Sequence, residues 1–315
     1  MDNEYVKRAL DVRKKVTKLT VSQQREILRL YEGVIEDLAR DIGKSKSKSL
    51  NERWLLERHK AFKIARKQLA KDIEIQVKKS LYKASELGTE VNRQMMMDLF
   101  QVVGIDAGNH WSTAFSQIQD KVVKDIIGGD LYRDHSTLSK RIWNFTDKSG
   151  KDLQYLLQKG ILEGKSALEL ARDVEEFVKD SAKRPWEWPK VYPKLANTKI
   201  DYNAQRLSRT MINHSYQTAS IKSSEMNPFV EGIEWRSAMI NHRTCKLCIS
   251  RHGQIFPKDD VPLDHPNGLC TMLPHIAKSL DEVATELRDW LDNGNNATLD
   301  KWYQEYGDYF AFKEL

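Results

Sequence analysis

The chain has 315 residues, 40% hydrophobic and 30% charged, which is enough to bury one large core or two modest ones and excludes both a disordered chain and a disulfide-stapled miniprotein. No stretch approaches the ~20 continuous apolar residues of a membrane helix, and the opening residues lack the apolar segment of a secretory signal, so a soluble protein made in a cytoplasm is expected. The net charge of +6 is uneven, with 23 Lys+Arg against 15 Asp+Glu in residues 1–100 and 8 against 12 in residues 241–315; a basic N-terminal part suits a phosphate-bearing partner and equally suits solvated helix faces.

Few glycines and prolines, with abundant Lys, Glu, Leu and Gln, favour helix throughout. Residues 21–42 place Ile27, Leu28, Tyr31, Val34, Ile35, Leu38 and Ile42 at spacings of three and four, with Ser22 in a capping position and Gly43 as the stop. The alternating Lys and Ser of residues 44–49 have no apolar face and predict a solvated turn. A return helix follows from Asn51 through Leu55, Leu56, Phe62, Ile64, Leu69, Ile73 and Val77 to Gly88, giving a basic helical hairpin over 21–88. A third helix is predicted over 89–103, with Met95, Met96 and Met97 as core filler, and a fourth over 107–127, closed by Gly128 and Gly129. Further helices are expected at 134–145, 149–161 and 166–180, the last opened by the capping-box pair Ser166 and Glu169.

Residues 184–193 hold three of the 8 prolines together with Trp186, Trp188 and Tyr192. No helix interior tolerates this, so it reads either as a docking arm or as a linker packed on its own domain. A long helix over about 200–225 carries Leu207, Met211, Ile212, Tyr216 and Ala219 on one face. Residues 229–236 and 254–256 have β composition and predict a small sheet. Helix resumes at Ser279, and an acidic tail rich in Trp and Tyr ends the chain.

All three cysteines lie within residues 245–270. The order is Cys245, two residues, Cys248, sixteen residues, His265, four residues, Cys270. One pair two apart and a second pair on a returning turn form the spacing that tetrahedral Zn²⁺ requires, and thiolate ligands suit a reducing compartment. Cys245, Cys248, His265 and Cys270 are therefore the candidate ligands of a structural zinc. His242, His252 and His275 are alternatives to His265, a metal-free module with small buried cysteines is another reading, and a redox or nucleophilic cysteine a third. Asp259, Asp260 and Asp264 read as turn residues around Pro257 and Pro262. No Gly-rich phosphate loop, His-Glu-x-x-His or Gly-x-Ser-x-Gly is present, so the expectation is a non-enzyme with no catalytic residues.

At these residues the sequence resembles the minor head, or head morphogenesis, proteins of tailed bacteriophages, the family of the phage Mu F protein. The stretches that carry the resemblance are Tyr216-Gln217-Thr218-Ala219, Gly232-Ile233-Glu234-Trp235, His242-Arg243-Thr244-Cys245-Lys246-Leu247-Cys248, Gly253-Gln254, and His265-Pro266-Asn267-Gly268-Leu269-Cys270 with Pro274. Upstream, the Gly164–Leu170 and Tyr202–Thr210 stretches are similar too, so that it covers about residues 160–275. The chain departs from the family where His242 replaces an Asp, and where the usual His-Pro-x-Cys-Arg-Cys ending keeps a single cysteine, Cys270. The resemblance implies a low-copy virion protein near the portal or inside the capsid, acting in head assembly or on packaged DNA. Its implied partners are the portal, scaffold or major capsid protein and phage DNA. A nucleic-acid-binding zinc protein of a mobile element is the alternative, and an enzyme such as a nuclease or ribosyltransferase a third.

The expected fold is mainly α with a small α+β C-terminal module: an elongated helical N-terminal half and a Cys/His-containing β-hairpin module. The expected divisions are a helical region over 1–183, a Pro/Trp-rich connector over 184–199, the Cys/His module over 200–278 and an acidic aromatic tail over 279–315.

Overall fold

The computed structural model describes residues 4–44, 52–106, 108–180, 183–240 and 244–309. Within them the chain forms α1 (Glu4–Gly43), α2 (Glu52–Val103), α3 (Gly108–Gly128), α4 (Leu138–Leu162), α5 (Ala167–Val178), a short α6 (Trp188–Val191) and α7 (Tyr202–Glu225). Then come β1 (Gly232–Arg236), α8 (Lys246–Arg251), β2 (Ile255–Phe256), β3 (Thr271–His275), α9 (Leu280–Asn293) and α10 (Ala297–Tyr306). The protein is mainly α with a small antiparallel sheet, in the order β2-β1-β3, near its C-terminal end. No helix among the described residues is long and apolar enough to cross a membrane.

The chain divides into two compact units that interleave along the sequence. One comprises Met1–Thr20, Lys79–Ile126 and Thr210–Leu315, the other Val21–Lys78 and Ile127–Arg209. The division thus differs from the linear one expected at 183, 199 and 278, because α1, α2 and α7 each give one part to each unit.

In the second unit, Ile27, Tyr31, Ile35 and Ile42 of α1 and Phe62, Leu69 and Ile73 of α2 are buried, as are Leu138, Ile142, Leu153 and Leu156 of α4. The segments expected as two helices at 134–145 and 149–161 are one helix, opened by Thr137, whose side chain accepts the Lys140 amide. The capping box of Ser166 and Glu169 opens α5. The Pro- and Trp-rich connector is a packed element and not a free arm. Arg184 donates to the carbonyls of Glu176, Phe177, Lys179, Leu195 and Thr198, and its guanidinium lies 5.1 Å from the Trp188 ring centroid. Trp188 and Tyr192 are buried, while Trp186 stays exposed with Lys190 Nζ 4.0 Å from its ring centroid. Along α2, Lys60, Lys63, Ile64, Lys67 and Lys71 are exposed at helical spacing. The turn expected over 44–49 lies, beyond Lys44, outside the described residues.

The first unit closes around Phe100, Trp111 and Trp302, with Trp111 edge-on to both, at ring-centroid distances of 5.2 and 6.4 Å. Trp302 also donates to the Met226 carbonyl at 2.9 Å. The C-terminal stretch, expected as an acidic aromatic tail, is therefore core at this residue. Buried Tyr5, Ala9, Val12 and Val16 extend the apolar stripe of α1 backwards, so the helix starts at Glu4 and Ser22 is interior rather than a cap. Met95 and Met96 are buried in the same core.

Gly88 does not end a helix. It lies inside α2, where an added Cβ would sit 2.4 Å from the Tyr216 carbonyl oxygen and 2.7 Å from Ala219 Cβ, so the glycine permits close approach of α7. Helix propensity alone would have Gly88→Ala stabilise the chain by about 1 kcal/mol. The contact with a backbone oxygen instead predicts a loss of about 1–3 kcal/mol, readable as a lower urea midpoint; a raised midpoint would refute it.

A second prediction concerns Asp201, which is fully buried. Its Oδ1 accepts no hydrogen bond, and Lys199 Nζ is 3.9 Å away. Burial holds its carboxyl above the usual carboxylate range. Folding therefore takes up a proton between the ordinary Asp value, about 4, and the raised one, and stability falls as pH rises through that window. Asp201→Asn is expected to match the parent chain near pH 4 and to exceed it by about 1 kcal/mol near neutral pH. A variant-to-parent difference that stays constant from pH 4 to 7 in urea denaturation would contradict this.

Candidate metal centre

The site is built by three pieces of the first unit: β1, the turn into α8, and the 264–270 loop held on α7. Cys245 is the N-cap of α8, its Sγ accepting the Cys248 amide at 3.4 Å. A helix of six residues is too short to persist alone. It is anchored by Cys248, which is buried with Val230, Ile233, Trp235, Cys270 and Met272. After α8, Gly253 donates to the Trp235 carbonyl and Trp235 to the Gln254 carbonyl, both at 2.8 Å. β1 pairs with β3 in the register Trp235↔Met272, which brings Cys270, the residue just before β3, beside the α8 turn. β3 was not expected from the sequence. It contains Pro274, which is admissible because β3 is an edge strand.

The 264–270 loop is organised by Asp264, which its neighbouring prolines marked only as a turn residue and which is buried. Its Oδ1 accepts the His265 amide at 2.9 Å, and Oδ2 accepts the Cys270 amide at 3.2 Å and Asn213 Nδ2 at 3.1 Å. An added Cβ at Gly268 would sit 2.1 Å from Oδ2, so only glycine lets the loop close on the carboxylate. Four residues of α7 at helical spacing hold the loop from outside. Thr210 accepts the Asn267 amide at 2.8 Å, Asn213 reaches Asp264, His214 Nε2 lies 3.0 Å from the Asp264 carbonyl, and Gln217 donates to the Cys270 carbonyl at 2.8 Å. Arg13 of α1 donates to Asn213 Oδ1 at 2.6 Å and to the Leu269 carbonyl at 3.2 Å, which fixes the orientation of the Asn213 amide.

The donor atoms of Cys245, Cys248 and His265 lie within 4.8 Å of one another, as do those of Cys248, Asp264 and Cys270. All three cysteines are free thiols. Amide and thiol hydrogen bonds from Cys248, with His265 alongside, draw the Cys245 thiol down. Burial pushes the Cys248 and Cys270 thiols up. The Asp264 oxygens already accept three N–H bonds, which leaves three sulfurs and one imidazole as the natural donor set, the composition of a closed tetrahedral site. The cluster of Cys245, Cys248, His265 and Cys270 could hold a metal ion. His252 Nδ1 accepts the Ser237 amide at 3.1 Å, and His275 pairs with Gly232 at the end of β3 away from Cys270; neither joins the cluster. His242 lies outside the described residues.

No family model, curated protein or solved structure matches this chain.

The sequence singled out the four donors but not the residues that place them: Asp264, Thr210, Asn213, His214, Gln217 and Arg13. The signal available was the spacing of Thr210, Asn213, His214 and Gln217 along one face of α7. Because Asp264 holds the backbone that carries two donors, Asp264→Ala is expected to weaken metal binding by about 10–100-fold. Competition against a chromogenic chelator measures this, and an unchanged affinity would show that the loop is set by other contacts.

Proposed function

We propose that this chain is a structural minor capsid protein of a tailed phage, of the head-morphogenesis type, in which Cys245, Cys248, His265 and Cys270 hold one Zn²⁺ as a staple. The observation that carries the reading is that the stretches bearing the resemblance, far apart in sequence, converge on one place. Gln217 of α7, Trp235 of β1, the Cys245–Cys248 turn, Gly253-Gln254 and the 264–270 loop are joined by direct hydrogen bonds or by burial in one small core. Zinc is favoured over harder or redox-active metals by three thiolates with one imidazole. A set of four protein donors leaves no open position for substrate or water, so the metal's part is to hold the fold. When bound it contributes folding energy to a module whose own core is small.

In this reading the chain acts in low copy in head assembly at or near the portal, with portal, scaffold or major capsid protein as partner. The exposed lysines of α2 at 60, 63, 67 and 71 supply a face suited to phosphates, and so to packaged DNA. The same lysines favour the second reading, a nucleic-acid-binding zinc protein of a mobile element.

Two measurements test this. Native mass spectrometry of the purified chain is expected to find one zinc, with the three thiols unreactive until a chelator is added; metal-free protein with freely titrating thiols would refute the staple. Quantitative mass spectrometry of density-purified particles of the source phage is expected to find the chain at a small fraction of the major capsid protein. Its absence from particles, together with tight, salt-sensitive duplex binding by the free chain, would favour the second reading.

A further inference from the structure

The two compact units carry opposite net charge. The unit of residues 21–78 and 127–209 holds 30 Lys+Arg against 21 Asp+Glu, and the unit that carries the Cys/His cluster holds 21 against 24. Each has an exposed helix face of its own sign. On α2, Lys60, Ile64, Lys67, Lys71 and Ile75 are exposed at spacings of four, three, four and four, which aligns them as one ridge with Lys63 beside it. Ile64 and Ile75 are 72% and 61% exposed. On α9, Asp281, Thr285, Asp289 and Asp292 are exposed at spacings of four, four and three. The stretches from Lys60 to Lys71 and from Asp281 to Asp292 are equally long, about 16 Å of helix each.

None of these lysine and aspartate side chains has an ion-pair or hydrogen-bond partner among the described residues. Elsewhere helix charges are matched locally, as in Lys14–Asp11, Lys83–Glu86, Lys179–Glu176 and Lys222–Glu225. Unmatched cations along one ridge repel one another and gain from an anionic partner. The isoleucines narrow what that partner is. Phosphate contacts use cationic and polar side chains and leave exposed isoleucines uncovered. A bilayer surface calls for a continuous apolar face, whereas here lysines interrupt the aliphatic positions. A helix with carboxylates at the same pitch answers both demands: acids meet the lysines, and the methyl group of Thr285, between Asp281 and Asp289, is left for an isoleucine.

We propose that the chain associates with itself head to tail, the α2 ridge of one copy lying along the α9 face of another. Ridge and face are different surfaces, so the contact is heterologous. Each added copy brings one free ridge and one free face, and the contact repeats into a ring or an open row. The inference draws on neither the metal nor the phage reading. It makes the α2 lysines a protein-binding surface for which phosphate is a competitor.

The test is sedimentation velocity of the full chain at about 100 µM. At low salt the average size is expected to be two or more chains, reverting to one chain at about 0.5 M salt, because exposed charges are then screened. Lys67→Glu with Lys71→Glu, and separately Asp289→Lys with Asp292→Lys, are each expected to weaken association at least about 10-fold, and a chain carrying all four reversals to recover it. A parent chain that stays single at low salt would overturn the proposal, and duplex binding through the same lysines would then assign the ridge to nucleic acid. Association that the fourfold variant fails to recover would overturn it too, since the contact would lie elsewhere. A readout in the parent chain covers variants that fold poorly. Carbodiimide coupling of mixed isotope-labelled and unlabelled chains is expected to join α2 lysines to α9 aspartates across the two labels; links found only within one label would refute association between copies.

Discussion

The Cys/His module depends on a single directional chain of hydrogen bonds. Arg13 donates to the Asn213 carbonyl oxygen, Asn213 donates to Asp264, and Asp264 receives the amides of His265 and Cys270. Each link fixes the next, since an Asn held by a cation at its oxygen can only present its NH₂ group forward. The result is a loop whose two donor residues are placed by their own backbone amides and not by side-chain packing. A loop of seven residues with a proline and a glycine would otherwise have many conformations to lose on ordering. Here the loss is offset by bonds made in a buried setting, where they count for more than at the surface.

How much of this was legible depends on the kind of signal. Helix positions set by local chemistry were readable: the Ser166–Glu169 capping box and the stop at Gly43 act within one turn of chain. Gly88 was misread because the property that matters, an approach to Tyr216 and Ala219, involves residues over a hundred positions away. The same holds for the join within α4 and for the start of α1, where Tyr5, Ala9, Val12 and Val16 continue a stripe that a short window does not capture. Among the donors, cysteines announce themselves by rarity and spacing. Asp264 did not, because an aspartate between prolines looks the same whether it faces water or accepts three amides. The polar stripe of α7 was equally ambiguous: periodicity reveals that Thr210, Asn213, His214 and Gln217 share a face, and only the fold reveals that the face covers a loop.

Aromatic content was the least reliable guide to interaction surfaces. Trp188, Tyr192 and Trp302 lie in segments whose proline or acid content left a docking role open, yet each is interior and meets a specific partner: Arg184 over Trp188, the Asp173 carboxylate at the Tyr192 hydroxyl, and the Met226 carbonyl at the Trp302 indole. A large ring with one polar handle is as well suited to closing a core near a backbone carbonyl as to gripping another protein. Trp186 is the member of the connector that remains available at the surface.

The interleaved division of the chain bears on how the protein is made. Residues 4–20 leave the ribosome before their buried partners in α2, α3 and the segments beyond residue 210, and Trp302 joins this core after the others. A nascent chain can complete the unit of residues 21–78 and 127–209 while the first helix still waits for its other half. Synthesis that stops short of α10 would leave Phe100 and Trp111 without their third ring, a defect of the interior and not of an appendage. Translation past residue 302 is thus a physical checkpoint for the unit that carries the Cys/His cluster, and a truncated product would expose an apolar surface of the kind cellular proteases clear.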